Sequence, residues 1–439
     1  MGPKKAGITQ HEGEQAVKIV HVNTFDTLGG AARSAYRLHQ GLRAMGEDST
    51  MFVRQADSDD PNVTEMRSSR RILDRVRRRI RKEWIARDFR GYRSTRPPGL
   101  EPFHDSRSVV WFDFLRDLPK CDILNLHWVA NSFLDYESFF AKMPTATRVV
   151  WTLHDMNAFT GGCHYDAGCR RFADCCGRCP QLGSNDPKDL SHRIWERKAK
   201  AFSRLDSARL QFVTPSRWLA EEIRRSPLAG RFPVSVIPYG LDLHDFAPRD
   251  RAACRDILGL PPDVKVLLFV ADGLDNSRKG FALLTAALAA LPRDVPIAIL
   301  SVGRNKPDVA IDMPWTHVGE VKNDYHLSVV YSAADIFIIP SLEDNLPNTV
   351  LEAMACGTPV LGFAAGGVPD MVRPGVTGML VPPADVEALG SAIMQLLRDP
   401  EHLGEMGLNC RRVATEEYSL DLQASRYSQL YAAALDLHR

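Results

Sequence analysis

Apolar residues fall along this chain in short runs separated by amphipathic stretches, and the alternation predicts most of the fold. Runs at residues 17–22, 49–53, 123–126, 148–153, 210–214 and 234–238 are each four to six positions long and mostly apolar. That is the pattern of strands buried on both faces of a parallel sheet. Helical spacing occupies residues 31–45 and 216–225. A second series follows, with strands at 266–270, 297–302 and 336–339 and helices at 281–291 and 324–332. A final helical pattern, with apolar residues at mixed three and four spacing, covers 420–435. Two successive β–α alternations predict two doubly wound α/β units facing each other across a cleft. Ligands of such sheets collect at the carboxyl ends of the strands.

One stretch organises the second series: residues 336–363, IFIIPSLEDNLPNTVLEAMACGTPVLGF. Pro340 ends the strand. Val350, Leu351, Met354 and Ala355 then recur at helical spacing until Gly357, with Pro347 or the adjacent asparagines starting the helix. The first N–H groups of that helix would face the loop and could hold a phosphate. Asp344 and Glu352, eight residues apart, both reach a ligand seated there, and paired carboxylates suit sugar hydroxyls better than bare phosphate. Gly29-Gly30 stands between the first strand and first helix, a place where glycines either touch phosphate or simply turn the chain. Arg278-Lys279-Gly280 lies between another strand and helix and offers a cationic clamp for a leaving phosphate. No convincing Asp-x-Asp metal site stands at a strand end. His154, closing the run at 148–153, is either structural or turned toward the cleft.

These residues resemble the donor-binding segment of the retaining glycosyltransferases of family 4, which have the GT-B fold. The likeness is carried by Pro340-Ser341, by Asp344 where glutamate is usual, by Glu352-Ala353 after seven intervening residues, and by Gly357-Thr358-Pro359-Val360. Gly366-Gly367-Val368-Pro369-Asp370 and the connection VIPYGLDLHDF at 236–246 extend it, with Tyr239 in place of a frequent asparagine. The arginine that the family carries six residues before Lys279 is Gly273 here. The resemblance implies a GT-B enzyme of hexosyltransferase type, independent of metal, that moves a sugar from a nucleoside-diphosphate sugar to a glycan acceptor in polysaccharide or glycoconjugate biosynthesis. It implies that His154 contacts the donor sugar beside the reacting carbon, that Lys279 and Arg278 hold the phosphates, and that Gly29 and Gly30 bring N–H groups toward the phosphates and the acceptor. Glu352 would hold the ribose, the main chain near Val321 the base, and Asp344 with the N–H groups of Asn345 and Leu346 the sugar, while the N–H of Asn348 opens the helix. The donor is a substrate, and no catalytic cofactor is implied. Domain organisation follows: a disordered lead over 1–16, an acceptor-side unit over 17–238, a donor-side unit over 239–419, and a helix over 420–439 returning to the first unit. Two other readings stay open, a nucleotide-sugar epimerase on the same fold and a non-catalytic sugar-nucleotide-binding protein.

Composition changes this picture in two places. The whole chain is ordinary for a globular enzyme, with 44% hydrophobic residues, 25% charged residues and a net charge of +1 over 439 residues. No apolar run reaches the ~18 residues that span a bilayer, and the first sixteen residues hold no apolar core, so the expected location is the cytoplasm. Charge, however, is uneven. Between residues 67 and 96 thirteen arginines and lysines stand against three acidic residues, with Ile72, Val76, Ile80 and Trp84 at spacing four among them. Either that stripe packs on its own domain, or the helix attaches to an anionic membrane at its inner face, where a lipid-linked acceptor would be found; nucleic acid is disfavoured because no stacking motif accompanies the charge. The second place is a cluster of five of the nine cysteines within residues 163–179. Cys163, Cys169, Cys176 and Cys179 are expected either to hold a structural zinc or to be reduced thiols in a packed loop beside the acceptor cleft.

Overall fold

The computed structural model describes residues 17–144, 146–271, 273, 276–304 and 311–436; the lead expected over 1–16 lies outside the described residues. Among these, thirteen strands form two sheets whose paired strands are all parallel. The first contains β1 (Lys18–Phe25), β2 (Asp48–Gln55), β3 (Val63–Glu65), β4 (Ile123–Leu126), β5 (Arg148–Thr152), β6 (Leu210–Thr214) and β7 (Val234–Val236), in the order β3-β2-β1-β4-β5-β6-β7. The second contains β8 (Lys265–Val270), β9 (Ile297–Val302), β10 (Trp315–Gly319), β11 (Ile336–Ile339), β12 (Val360–Phe363) and β13 (Gly378–Val381), in the order β10-β9-β8-β11-β12-β13. Helices α1 (Gly30–Ala44), α2 (Ile72–Arg90), α3 (Trp111–Asp117), α4 (Tyr136–Lys142), α5 (Leu190–Phe202) and α6 (Arg217–Arg225) accompany the first sheet. The second has α7 (Arg251–Ile257), α8 (Phe281–Ala289), α9 (Asp324–Ala333), α10 (Asn348–Ala355), α11 (Val386–Arg398) and α12 (Pro400–Glu417), and the chain continues into α13 (Leu420–Asp436).

Both sheets are doubly wound, and the two Rossmann-like units pack across a cleft in the GT-B arrangement. In each, the strand order reverses once, between β1 and β4 and again between β8 and β11. At such a reversal the connections leave in opposite directions, and a crevice opens outside the carboxyl ends of the two strands. Strand centres carry the apolar runs, so β4, β5, β11 and β12 are buried almost throughout. Helix starts are set by side-chain caps: Ser216 accepts from the N–H of Leu219, Asp189 from those of Ser191 and His192, and Asn323 from that of His326.

Helix α13 lies against the first sheet rather than the second. Tyr427 and Tyr431 are fully buried among Ile19, Ile123, Val150 and Val213. Their hydroxyls are satisfied inside the sheet, Tyr427 with Thr152 Oγ1 at 2.9 Å and Tyr431 as acceptor from Asn125 Nδ2 at 2.7 Å. The chain therefore passes between the units twice, and a bridge between Leu241 and Ser419 ties the two crossings together.

In helix α2 the apolar stripe expected from the basic segment does not pack on its own domain. Ile72 is 76% exposed and Trp84 70%, with Leu73, Val76 and Ile80 exposed beside them. Polar groups hold the inner face instead. Arg78 pairs with Asp113 at 2.7 Å, Arg81 with Asp135 at 2.5 Å, and only Ile85 of this helix is buried.

The loop after β8 approaches the end of β11 at Gly280, where φ is +70° and a Cβ would sit 1.8 Å from the Pro340 carbonyl oxygen. Only glycine tolerates both conditions. The left-handed conformation alone costs a substituted residue about 1–2 kcal/mol, before Pro340 is displaced. Gly280→Ala is expected to lower the melting temperature by several degrees, read by circular dichroism; an unchanged melting temperature would contradict this packing.

Candidate active site

The carboxyl ends of β8 and β11 bring opposite charges together at the reversal of the second sheet. Lys279 Nζ lies 2.7 Å from Asp344 Oδ2, and Arg278 Nη1 lies 3.3 Å from the same oxygen. Asp344 is buried. Burial pushes its carboxyl up, but the ammonium of Lys279 and the guanidinium of Arg278 outweigh that cost and hold it at about 2. Next to it, Glu343 moves the other way: burial and the neighbouring Asp166 raise it to about 7, and its Oε2 accepts from the Ala167 N–H at 3.0 Å.

Arg278 reaches across the cleft. Its Nε and Nη2 donate to Glu101 Oε1 at 2.9 and 2.6 Å, its Nη1 donates to the Glu343 carbonyl at 2.5 Å, and its guanidinium lies over the Tyr165 ring at 4.1 Å. Thus a carboxylate from the first unit occupies the guanidinium that the sequence placed on a phosphate.

Helix α1 supplies the facing wall. Gly29, with φ +87°, precedes the helix and leaves open space where a Cβ would stand. Gly30, Arg33, Ser34 and Arg37 follow at helical spacing on one face. Asn348 Nδ2 donates to the Gly30 carbonyl at 3.1 Å and to Ser34 Oγ at 2.9 Å. Arg33 pairs with Asp324, while Arg37 Nη2 lies 2.9 Å from Asp324 and 3.1 Å from Glu352. The other oxygen of Glu352 accepts from the Tyr331 hydroxyl at 3.0 Å. Arg37, which meets Glu352 here, was not singled out by sequence reasoning, and nothing local on α1 sets it apart from a solvated arginine.

Asn345 staples the units together: its Oδ1 accepts from Ser216 Oγ at 2.6 Å and its Nδ2 donates to the His154 carbonyl at 3.2 Å. Its N–H donates to Asp344 Oδ1 at 3.2 Å. Leu346 is buried in the second core and Val321 packs at that core's edge, after β10. His154 follows β5, and both ring nitrogens are engaged, Nδ1 with the Tyr239 hydroxyl at 2.7 Å and Nε2 with His127 Nδ1 at 3.1 Å. Burial pulls its imidazole down to about 4, against a weaker upward pull from Asp155.

The cysteine cluster is corrected. Cys163, Cys169, Cys176 and Cys179 do line one pocket, together with Phe103 and Phe172, and all four are free thiols. Yet among the described residues no group of three or more His, Cys, Asp or Glu side chains is arranged to hold a metal ion. Burial raises all four thiols, Cys176 to about 12 and Cys179 to about 11, so they sit as protonated, apolar packing groups. The structural zinc has no support in this geometry.

Comparison with known proteins matches both halves of the chain. A family described as Glycosyltransferase Family 4 matches residues 28–245, and one described as Glycosyl transferases group 1 matches residues 264–399. The D-inositol 3-phosphate glycosyltransferase of Thermobispora bispora is 30% identical over 244 residues, covering 52% of this chain and 56% of the relative. That of Segniliparus rotundus is 36% identical over 188 residues, covering 40% and 41%. The chain thus spans about half the length of the curated relatives it matches. Among solved structures, sucrose-phosphate synthase from Thermosynechococcus elongatus shares the fold with a TM-score of 0.65 at 22% identity, over 96% of this chain and 100% of that one. Anabaena HepE in complex with UDP and glucose shares it at 0.61 and 14% identity, over 95% and 100%.

Five histidines of the first unit are held neutral by burial: His21 and His127 well below their ordinary value, His39 and His154 at about 4, His104 at about 3. The unfolded chain binds their protons below pH ~6.5 while the folded chain refuses them until near pH 4, so their contribution is complete above ~6.5 and is lost as pH drops toward 4. Glu343 opposes this in part, because its raised carboxyl favours the folded state as pH falls below about 7. For His154 alone the loss is on the order of 3 kcal/mol. Asp344 contributes nothing in this window, because its stabilisation is lost only as pH falls from about 3.8 toward about 2. Melting temperatures measured from pH 8 to pH 4 are expected to fall steadily below 6.5; a flat profile would contradict the buried neutral imidazoles.

Proposed function

The chain belongs to glycosyltransferase family 4 of the group 1 glycosyl transferases, and from that premise we propose that it transfers a sugar, with retention of configuration, from a nucleoside-diphosphate sugar to a glycan acceptor. In this reading residues 239–419 hold the donor, residues 17–238 face the acceptor, and residues 420–439 complete the first unit. The carrying observation is the pairing of half-buried Lys279 with buried Asp344 at the carboxyl ends of β8 and β11, opposite α1. A sugar nucleotide laid there presents its diphosphate to Lys279 and Arg278, its ribose to Glu352, its base to the main chain near Val321, and its sugar to Asp344, the N–H of Leu346 and the wall formed by His154. Gly29, Gly30, Asn345 and Asn348 bring the two faces together around it.

Transfer breaks the bond from the anomeric carbon to the phosphate oxygen, whose electron pair stays with the diphosphate. A bond to the acceptor oxygen forms on the same face, and the acceptor's proton passes to the leaving phosphate. Negative charge grows on the diphosphate, and preorganised cations there lower the barrier. In the structure these groups satisfy one another: Lys279 with Asp344, Arg278 with Glu101, Arg37 with Glu352. Donor binding exchanges those pairs for substrate contacts.

A thermal-shift screen against nucleoside diphosphates and their sugars tests the reading. One base series is expected to stabilise the native state, by about 2.7 kcal/mol at a hundredfold excess over Kd, and Lys279→Ala is expected to lose most of that increment. Absence of any shift at millimolar nucleotide would overturn the donor assignment.

The acceptor is proposed to be carried on a lipid, with the protein at the cytoplasmic face of a membrane. Support comes from α2, which turns an apolar stripe and a dense row of arginines outward. No helix among the described residues is long and apolar enough to cross a bilayer, so attachment would be to the surface. Each basic residue near an anionic leaflet contributes about 1 kcal/mol, and the stripe adds apolar burial at about 25 cal/mol per Å². Flotation with phosphatidylserine-containing vesicles is expected to show binding at low salt that weakens at high salt and is lost in Ile80→Asp/Trp84→Asp. No binding at low salt would sink this part alone.

A further inference from the structure

Three histidines and a tyrosine form a continuous buried chain, of which the proposed transfer uses only His154. Tyr239, just beyond β7 in the connection between the sheets, stacks its ring on His154 with centroids 5.5 Å apart and planes 20° apart. Its hydroxyl lies 2.7 Å from His154 Nδ1, His154 Nε2 lies 3.1 Å from His127 Nδ1, and His127 Nε2 lies 2.9 Å from His21 Nδ1. The chain ends there, because His21 Nε2 is buried without a partner among the described residues.

That dead end sets the direction of every bond. A neutral imidazole has one N–H and one lone pair, so the three links must all point the same way. If they ran from Tyr239 inward, His21 would carry an orphaned N–H at a fully buried site. If they run outward, only a bare lone pair is left there, and buried donors without partners are rarer than under-used acceptors. The outward direction therefore wins: His21 donates to His127, His127 to His154, and His154 to the Tyr239 oxygen. The hydroxyl proton of Tyr239 is then left for something else. Among the described residues Tyr239 has no second hydrogen-bond partner, and burial raises its hydroxyl well above the ordinary value, with smaller contributions from Tyr427, Asp155 and Asp344.

We infer that Tyr239 is a further substrate-contacting residue, whose O–H donates a hydrogen bond to an oxygen of the transferred sugar, with His127 and His21 as positioning residues that fix the direction of that donation. The inference rests on the reading of the cleft as a donor site. It divides sugar recognition between an acceptor, Asp344, and a donor, Tyr239, and it explains why His154 can have both nitrogens occupied and still matter. A sugar hydroxyl both donates and accepts, so one such group between Asp344 and Tyr239 satisfies both.

The test uses the intact chain, with UDP, ADP and GDP and their glucose or mannose conjugates as probes, and compares Tyr239→Phe, His127→Leu, His127→Gln and the Tyr239→Phe/His127→Leu double variant. Affinities come from calorimetry, kcat and KM from release of nucleoside diphosphate, and folding from the melting temperature. Tyr239→Phe is expected to leave nucleoside-diphosphate affinity unchanged and to weaken sugar-conjugate binding or kcat/KM by about fivefold to tenfold, the worth of one neutral hydrogen bond. His127→Leu releases the His154 tautomer and should reproduce most of that loss; His127→Gln, which restores a donor and an acceptor, should recover part of it. In the double variant the two losses should not add. If nucleotides bind but Tyr239→Phe keeps the full preference for the sugar conjugate, or if the losses add, this inference falls alone. If no nucleotide binds the wild type, it falls together with the donor assignment.

Discussion

A carboxylate that is buried must be paired, and much of the cleft follows from pairing Asp344. Leaving such a charge uncompensated costs several kcal/mol, which here requires Lys279 to extend from the end of β8 to the end of β11. That reach in turn requires the chain to turn sharply against Pro340, which only Gly280 permits. Arg278, carried on the same turn, meets Asp344 and is itself neutralised by Glu101 from the other unit. One buried charge therefore fixes a glycine, a lysine, an arginine and a contact across the cleft. In the proposed function the same constraint makes the site responsive to ligand, since a diphosphate would offer Lys279 and Arg278 what the carboxylates offer them here.

The two faces of the cleft are otherwise joined by polar contacts rather than by a shared apolar core. Asn348 with Gly30 and Ser34, Arg37 with Glu352, Asn345 with Ser216, and Arg217 with Asp370 are each separable without exposing much apolar surface. Interfaces of this kind allow relative motion of the units, which suits a site that must admit a large anionic substrate.

How much of this was legible in the sequence depended on whether a feature is local. The strands at 297–302 and 336–339 and the glycine-ended helix after Pro347 could be read because their periodicity is complete within a few residues. Arg37 could not, because on α1 it looks like any solvated arginine until Glu352 from 315 residues away lies across it. His21 reads as a polar interruption of an apolar strand and His127 as the residue just after one, and only the parallel pairing of β1 with β4 brings their rings together. The α2 stripe was visible, but its direction was not. That was settled by Asp113 and Asp135, two carboxylates in distant segments that draw Arg78 and Arg81 inward. Cysteine spacing revealed which thiols converge, while their protonation follows from burial that spacing does not report.

The placement of α13 bears on how the molecule is made. Tyr427 and Tyr431 fill the face of the first sheet, yet the chain lays down that sheet, crosses over and builds the whole second unit before it reaches them. At roughly 5–20 residues per second on the ribosome, the first sheet waits with that apolar face open until its cover emerges. During synthesis the order of completion is thus reversed: the unit begun first closes last, and the nascent chain displays a sticky surface that the finished protein never shows.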